Sequence, residues 1–318
     1  MVENLKSSRF YIALIISGGL VFLFGMIYGG NDWIFAYRNG ARGDYSQVVT
    51  PYWSLFLSYI PAQIPDPFGY LVWITIGTFL VLVTTYRFNS PFLAVLFSYQ
   101  MNWVLFYGQI DPFILFGIGL GYDAILKKKP ILLGIAISLV TIKPQIGSLL
   151  AIYFFFSSPS KVKTALTFLL IVLVSLLVWP GWPERLIFEQ IIPFMNRPYN
   201  NLTNTSLRIP FWAGFIFSLL SLVSPISIRN KIPLLLATSL LVSPYSTIYS
   251  QLSLLSIGLP YLFNIFGFIP WAVAIIVGPF GNWNWAFIFP LFVVLYIYYF
   301  AYKNGDLSNI RVWRVNYG

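Results

Sequence analysis

Two acidic and two basic residues follow the first long apolar stretch of the chain, at Asp32, Arg38, Arg42 and Asp44. Charge is scarce elsewhere, since Asp, Glu, Lys and Arg together make up only 9% of the sequence. A carboxylate can accept a proton from a hydroxyl group, and guanidinium groups bind phosphate. Ionisable residues placed against an apolar segment are candidates for a functional site. Asp32 is therefore the first candidate for a catalytic base, and a solvated loop between two helices is the alternative.

The composition indicates the class of protein. Of the 318 residues, 58% are hydrophobic and 19% are aromatic, and the mean hydropathy is +0.78. One water-soluble domain cannot bury that much apolar surface. We predict an all-α polytopic membrane protein with about 10–12 transmembrane helices, some of them short or broken, in a single membrane domain over 1–318.

Histidine and cysteine are both absent from the sequence. The commonest general base and the commonest metal ligands are therefore missing, and acid–base chemistry is left to Asp, Glu, Tyr or Lys. The glycines of the GIGLG stretch at 117–121 lie inside an apolar segment, where they predict close helix packing rather than a nucleotide site. No cofactor and no structural metal are predicted, and a loosely held divalent ion is left open.

Basic residues are distributed unevenly between the two predicted sides of the membrane. Thirteen of them, with three acidic residues, fall on one side, and six bases with six acids fall on the other. The positive-inside rule then places both termini and the tail at 303–318 in the cytoplasm, and the loops at 29–67 and 180–208 on the outer face of the cell membrane. The net charge of +10 thus reflects membrane topology, and no nucleic-acid partner is predicted.

The apolar stretch at 130–157 is interrupted by Lys143 and Pro144. Proline cannot continue a helix without losing a hydrogen bond and clashing with the preceding turn. We therefore expect two short helices that meet at Lys143. Irregular backbone at membrane depth is tolerated where it lines a protein-walled or watery cavity, so Lys143 is expected to face one.

The other apolar segments predict the remaining spans. These are 10–28, 68–86, 90–107, 112–126, 164–179, 209–223, 232–242, 252–266, 268–277 and 285–302. Asp66 and Asp111 each precede a proline, which predicts that they cap the helices that follow.

Several uncharged polar residues and isolated bases also fall on the predicted outer side. They include Gln109, Lys143, the Asn/Thr/Ser-rich run at 200–208 and the SPY stretch at 243–245. An enzyme acting on a lipid-linked substrate would use such groups to bind phosphate and polyol. The alternative is that the bases reach toward lipid headgroups and the hydroxyl and amide groups cap helices.

The order of these motifs resembles glycosyltransferase family 87. The motifs are NDWIFAYRNG, TPYW, GQIDPFILFGIGLG, LLGIAISLVTIKPQ, the Asn/Ser-rich loop and LLVSPYS, and together they run from about residue 29 to residue 251. Family members are polyprenol-phosphate-dependent membrane mannosyltransferases of the C-type glycosyltransferase fold. The resemblance implies transfer of a sugar, mannose in the first place, from a polyprenyl-phosphate carrier to a hydroxyl of a glycolipid or glycan on the outer face.

The resemblance also implies roles for particular residues. Asp32 matches the first-loop aspartate taken as the base that activates the acceptor. Positions near the donor phosphate or sugar are matched by Lys143, Gln109 and Arg208, and Arg42 is grouped with them. Supporting roles are expected for Asp44, Tyr37, Asn204 and Ser206. Tyr249 and Ser250 stand where family members often carry a histidine, and the chain is shorter than typical members.

Two other functions are compatible with such a chain. A transporter or flippase for a lipid-linked sugar would be expected to have inverted halves with paired broken helices, and the sequence has one strong break, at Lys143. A non-catalytic membrane scaffold would not require the charged first loop.

Overall fold

The computed structural model describes residues 2–27, 30–197, 202–278 and 281–304. Within these ranges all regular secondary structure is helical, which confirms the all-α prediction. The helices of nine or more residues in this part of the chain are numbered α1 to α12. They are Val2–Ile27, Leu55–Gln63, Phe68–Phe88, Tyr99–Tyr107, Asp111–Leu126, Pro130–Val140, Pro144–Phe156, Lys161–Val178, Phe211–Val223, Ile228–Val242, Ile265–Val277 and Ile288–Lys303.

Helix length and composition confirm a polytopic membrane protein. Four segments of the described chain are long and apolar enough to cross a bilayer, namely Ser8–Met26, Phe68–Phe88, Lys161–Val178 and Asn284–Lys303. The pair α4 and α5 passes the same test together, with a bend of 120° between its two helices. Shorter apolar helices, α6, α7, α9 and the Tyr261–Val277 segment, complete the set. Broken and short helices inside a bilayer need protein neighbours that satisfy their free backbone groups.

The core of the molecule is built around α10. Its residues from Lys231 to Leu241 are all buried, and it packs against α7, α9 and α12. A helix that is buried on every side is expected at the centre of a bundle. By contrast, α8 exposes most of its apolar surface, as expected for a helix that faces lipid.

The break predicted at Lys143 is confirmed. α6 ends at Val140, and α7 begins at Pro144, with Lys143 in an extended conformation before it. α6 also packs against α5 and α8, so the chain doubles back through this part of the bundle. The break therefore lies among packed helices.

Two of the predicted spans are not continuous helices. The segment 90–107 is divided into a short helix, Phe92–Leu96, and α4, whose first turn is capped by the hydroxyl of Ser98. The segment 252–266 is interrupted after Leu255, and Gly258 occupies the left-handed region. A Cβ at Gly258 would lie 2.5 Å from the carbonyl oxygen of Phe88, so this turn requires glycine. Hydropathy alone did not detect either break, because both consist of uncharged residues.

The loops at 29–67 and 180–208 contain short helices. In the first loop these are the π-helix Trp33–Arg38, the turn Asn39–Ala41, the 3₁₀ helix Tyr52–Ser54 and α2. In the second they are Trp182–Glu184, the π-helix Arg185–Ile191 and Ile192–Met195. Residues 198–201 and most of the predicted tail, 305–318, lie outside the described residues.

The prediction that Asp66 caps a helix is wrong. No side-chain cap is formed at the start of α3, and the carboxylate of Asp66 instead accepts hydrogen bonds from Arg38 and from the indole nitrogen of Trp33, the latter at 3.2 Å. Asp66 therefore ties the end of the first loop to the π-helix that follows Asp32.

Candidate functional site

The turn between α4 and α5 positions two polar side chains. Gly108 ends α4 in the left-handed conformation, and a Cβ there would lie 2.8 Å from Cβ of Trp33. The indole nitrogen of Trp73 donates to the carbonyl oxygen of Gly108 at 2.9 Å. Because the turn is both sterically confined and hydrogen-bonded, the orientation of Gln109 and Asp111 beyond it is fixed.

Lys143 reaches this turn from the break between α6 and α7. Its ammonium group donates to Gln109 Oε1 at 3.0 Å and to Asp111 Oδ2 at 2.5 Å. Only 7% of Lys143 is exposed, so its charge requires a partner, and Asp111 supplies it. The ammonium also lies 4.9 Å from the ring centroid of Tyr249, a favourable cation–π distance.

Asp111 was predicted to cap α5, and that prediction is wrong. Asp111 is the first residue of the helix, where the free N–H groups of the first turn favour a carboxylate, but its side chain binds Lys143. Its second oxygen, Oδ1, is buried and makes no hydrogen bond within the described residues. Asp111 is thus a functional candidate that the capping pattern concealed.

Asp32 completes the cluster. The amide nitrogen of Gln109 donates to Asp32 Oδ2. Asp32 directly precedes the π-helix Trp33–Arg38, and the indole of Trp33 is stacked on that of Trp73 with ring centroids 5.3 Å apart. The side chains of Asp111, Lys143, Gln109 and Asp32 therefore form a continuous hydrogen-bonded row, called here the polar row.

Burial controls the protonation of Asp32. Desolvation raises the pKa of its carboxyl group from 3.8 to about 6, against the opposing effects of the Lys143 charge and the Gln109 hydrogen bond. A carboxylate with that pKa is ionised at neutral pH and basic enough to accept a proton in catalysis. Burial also raises the pKa of Tyr37 well above its ordinary value, so its hydroxyl group remains protonated.

A cavity of about 990 Å³ opens beside the polar row. Of the charged side chains in the described chain, Asp32, Lys143 and Arg197 line it. Its walls are rich in aromatic rings, which include Tyr99, Trp103, Tyr107, Phe194, Tyr245 and Trp283. A large apolar cavity with a few convergent polar groups is typical of a ligand-binding site.

Three other candidates lie outside the residues that line this cavity. Arg42 donates through Nε to the carbonyl oxygen of Ala62 at 2.7 Å, and Asp44 is exposed and accepts from the backbone of Ser46 at 3.1 Å. Arg208 has a positive φ of 51° and donates to Asn284 Oδ1 at 3.2 Å. In this conformation the three side chains stabilise loops.

Asn204 and Ser206 also have structural contacts. The Asn204 amide donates to the carbonyl oxygen of Pro244 at 2.9 Å, and its oxygen accepts from the backbone N–H groups of Ser206 and Ser246 at 3.0 and 3.1 Å. These bonds attach the second loop to the SPY stretch. Of the site residues predicted from the sequence, the structure brings together Asp32, Tyr37, Gln109 and Lys143 at the cavity.

Arg197 is a cavity residue that sequence reasoning did not select. Its guanidinium group lies 5.6 Å from the ring centroid of Phe194 and 3.5 Å from Gln47 Oε1. Nothing in the local pattern distinguishes it from the other arginines of the second loop. Only the fold shows that it lines the cavity.

The chain matches the model of a known protein family. The family model for Glycosyltransferase family 87 matches residues 51–244, which is more than half of the chain. Neither the curated proteins nor the solved structures contain a match. The matched range includes Gln109, Asp111 and Lys143 and begins after Asp32. With its multi-pass helical fold, the chain is a membrane glycosyltransferase that belongs to glycosyltransferase family 87.

Proposed function

We propose that this enzyme transfers a sugar, mannose in the first place, from a polyprenyl-phosphate carrier to a hydroxyl group of a glycolipid or glycan. The single observation that carries the proposal is the polar row, which places the carboxylate of Asp32 at a large aromatic cavity between membrane helices. We further propose that the bundle is a C-type glycosyltransferase fold and that residues 1–318 form one membrane domain.

Asp32 acts in this proposal as the general base. The acceptor oxygen attacks the anomeric carbon of the donor, its proton passes to the carboxylate of Asp32, and the bond from the anomeric carbon to the phosphate oxygen breaks. The lipid phosphate leaves with the electron pair of that bond. A positioned base of suitable pKa contributes about 10²–10⁴-fold to such a step. The raised pKa of Asp32 supports the assignment, because a more basic carboxylate accepts the proton more readily.

Gln109 positions the base. Its amide holds one oxygen of Asp32, and its carbonyl oxygen is held in turn by Lys143. Gln109 donates to Oδ2 of Asp32, and we assign the other oxygen, Oδ1, to the acceptor hydroxyl. Each link of this row is fixed by a buried partner, which keeps the geometry of the base constant between turnovers.

Positive charge at the cavity would stabilise the leaving phosphate. Lys143 is held at the N-terminus of α7, where the helix dipole adds to its charge, and Arg197 reaches the cavity from the second loop. Lys143 is partly neutralised by Asp111, so we assign the direct phosphate contact to Arg197 and a longer-range electrostatic role to Lys143. Arg208 is not among the residues that line the cavity, and its guanidinium group donates to Asn284, so we do not assign it a phosphate contact.

The distribution of basic residues supports an active site on the outer face. The loops that supply Asp32 and Arg197 are those with balanced charge, and the basic turn Lys127, Lys128 and Lys129 lies at the opposite end of α5 from Asp111. A donor anchored in the membrane by its lipid would be held beside such a site.

The proposal is tested with purified protein in lipid nanodiscs. Polyprenyl-phosphate mannose, polyprenyl-phosphate glucose and a nucleotide-linked mannose are each supplied as donor, and release of the lipid or nucleotide phosphate is measured as the sugar passes to an added glycolipid or to water. We expect release from the mannose lipid donor and none from the nucleotide sugar. Use of the nucleotide sugar would refute the proposed donor class, and a preference for the glucose lipid would refute the proposed sugar alone.

A further inference from the structure

Exposed lysines from two separate turns lie at the end of the bundle opposite the polar row. They are Lys127, Lys128 and Lys129, between α5 and α6, and Lys161 and Lys163, in the first turn of α8. These five residues are called here the basic cluster. α5 has 16 residues, so about 24 Å of helix separates the cluster from Asp111. The cluster is therefore distinct from the candidate active site.

Helix packing brings the two turns together. The hydroxyl of Thr164 donates to the carbonyl oxygen of Pro130 at 2.9 Å and shares a hydrogen bond of 2.7 Å with the hydroxyl of Ser158. A Cβ at Gly134 would lie 2.8 Å from the carbonyl oxygen of Thr164, so α6 and α8 are in close contact at this end. Lys129 directly precedes Pro130, and α8 begins within one turn of Thr164. The backbone that carries one set of lysines is thus fixed against the backbone that carries the other.

This part of the chain carries a surplus of positive charge. Between residues 112 and 183 the sequence contains one acidic residue, Asp123. Asp123 forms an ion pair with Arg87, whose guanidinium group also lies 5.0 Å from the ring centroid of Tyr122. The carboxylate is therefore already matched by a base outside the cluster. Several exposed lysines held close together attract an anionic partner.

An apolar stripe on α8 begins at the basic cluster. Leu166, Leu170 and Leu173 follow Lys163 at helical spacing, so the four side chains share one face of the helix. Each of the three leucines is more than half exposed. One leaflet of a bilayer has about 15 Å of hydrocarbon, which corresponds to about ten residues of helix and so to the interval from Lys163 to Leu173. The stripe therefore has the length of one acyl chain, with the lysine at its headgroup end.

A negatively charged phospholipid matches both features. Its phosphate is attracted by the lysines, and its acyl chains bury apolar surface against the leucines. A soluble anion or an acidic protein segment would use the lysines and leave the stripe uncovered. We propose that the basic cluster and the α8 stripe bind one anionic phospholipid, with its phosphate between the α5–α6 turn and the start of α8. The bound lipid stabilises the contact between α6 and α8, because it binds only the folded arrangement of the two turns.

The test counts the lipids that the purified protein retains. The protein is transferred from nanodiscs containing equal amounts of phosphatidylglycerol and phosphatidylcholine into a neutral detergent, and native mass spectrometry measures the fraction with each lipid bound. Lys161→Gln/Lys163→Gln is compared with Arg229→Gln/Lys303→Gln, which removes the same charge from exposed positions on α10 and α12. A general attraction between a basic protein and anionic lipid would affect the two double variants equally. Lys161→Arg/Lys163→Arg keeps the charge of the cluster.

We expect the unmutated protein to retain phosphatidylglycerol in preference to phosphatidylcholine. The fraction with phosphatidylglycerol bound should fall about tenfold in Lys161→Gln/Lys163→Gln, and it should be unchanged in the arginine variant and in Arg229→Gln/Lys303→Gln. The preference should also weaken at high salt, which screens exposed charges.

Equal retention by the two glutamine variants would overturn the proposed site. Displacement of the lipid by inorganic phosphate or by polyglutamate would overturn the lipid as the occupant and indicate a soluble anion or an acidic protein segment instead. Thermal unfolding of each variant is recorded in phosphatidylcholine alone. A folding defect would lower retention of both lipids, whereas loss of the site lowers retention of phosphatidylglycerol only.

Discussion

Replacing Asp32 by asparagine removes the proposed base and preserves the shape of the side chain. The variant retains an oxygen that can accept the Gln109 hydrogen bond, so the polar row is preserved. We expect turnover to fall by about 10²–10⁴-fold with polyprenyl-phosphate mannose as donor, because only proton acceptance is lost. Asp44→Asn is the matched control, since that carboxylate is exposed and bonded to Ser46, and it should cost far less.

The pH dependence of kcat/KM is a second test of Asp32 as the base. A carboxyl group with a pKa of about 6 is about one-tenth ionised at pH 5, whereas one with the ordinary value of 3.8 is more than nine-tenths ionised. Since the ionised form is the active base, kcat/KM of the unmutated enzyme should fall about tenfold between its plateau and pH 5. The residual rate of Asp32→Asn should not show this decrease.

Stability should change in the opposite direction to activity. Burial penalises the ionised carboxylate, so this cost is present above about pH 6 and disappears as the pH falls through 6 toward 3.8. Asparagine carries no charge at any pH. Asp32→Asn should therefore be as stable as the unmutated protein or more so at pH 7.5, by at most about 3 kcal/mol, and equal to it near pH 4.

The assay measures release of polyprenyl phosphate from pH 4.5 to 8, together with thermal unfolding of both variants in the same lipid. A decrease in activity centred near pH 4 would contradict the buried environment assigned to Asp32. Near-normal transfer by Asp32→Asn would refute its role as base. If Asp44→Asn were inactive in the same series, the two carboxylates would have been assigned the wrong way round.

Three further changes address other parts of the structure. Lys143→Met removes the cation that lowers the pKa of Asp32, so the decrease in kcat/KM at acid pH should move to higher pH. An unchanged pH profile would show that the charge of Lys143 does not act on the carboxylate of Asp32. Lys231→Met should lower the stability by about 1–3 kcal/mol without affecting KM, because the buried ammonium donates to the carbonyl oxygens of Ser221, at 2.9 Å, and of two further residues near the end of α9. Since the native chain has no cysteine, single cysteines at Ser46 and Lys127, both exposed, can be labelled cleanly. Label added outside the cell should reach position 46 and leave position 127 unmodified, and the reverse pattern would invert the topology.

The sequence was sufficient for the class of fold and for the break before α7. Apolar runs of membrane length specify helices because the backbone must satisfy its own hydrogen bonds in lipid. Proline at 144 specifies the interruption because its ring cannot follow a helical residue without a clash. These are local effects, so the chain shows them directly. The order of short motifs was likewise enough to indicate the family, which the match over residues 51–244 then established.

The partners of the polar side chains were decided by tertiary structure. An aspartate before a proline predicts a helix cap from local geometry. In the folded chain, however, Arg38 binds the carboxylate of Asp66 and Lys143 binds that of Asp111. Along the sequence, Lys143 lies 32 residues from Asp111, and Gln109 lies 77 residues from Asp32. Buried charge in a low-dielectric interior takes the partner that the packing of helices brings within reach, and no local pattern encodes that choice. Arg197 lines the cavity, and Arg42 and Arg208 do not. The position of Arg197 depends on how the second loop packs onto the helix bundle, which the local sequence does not show.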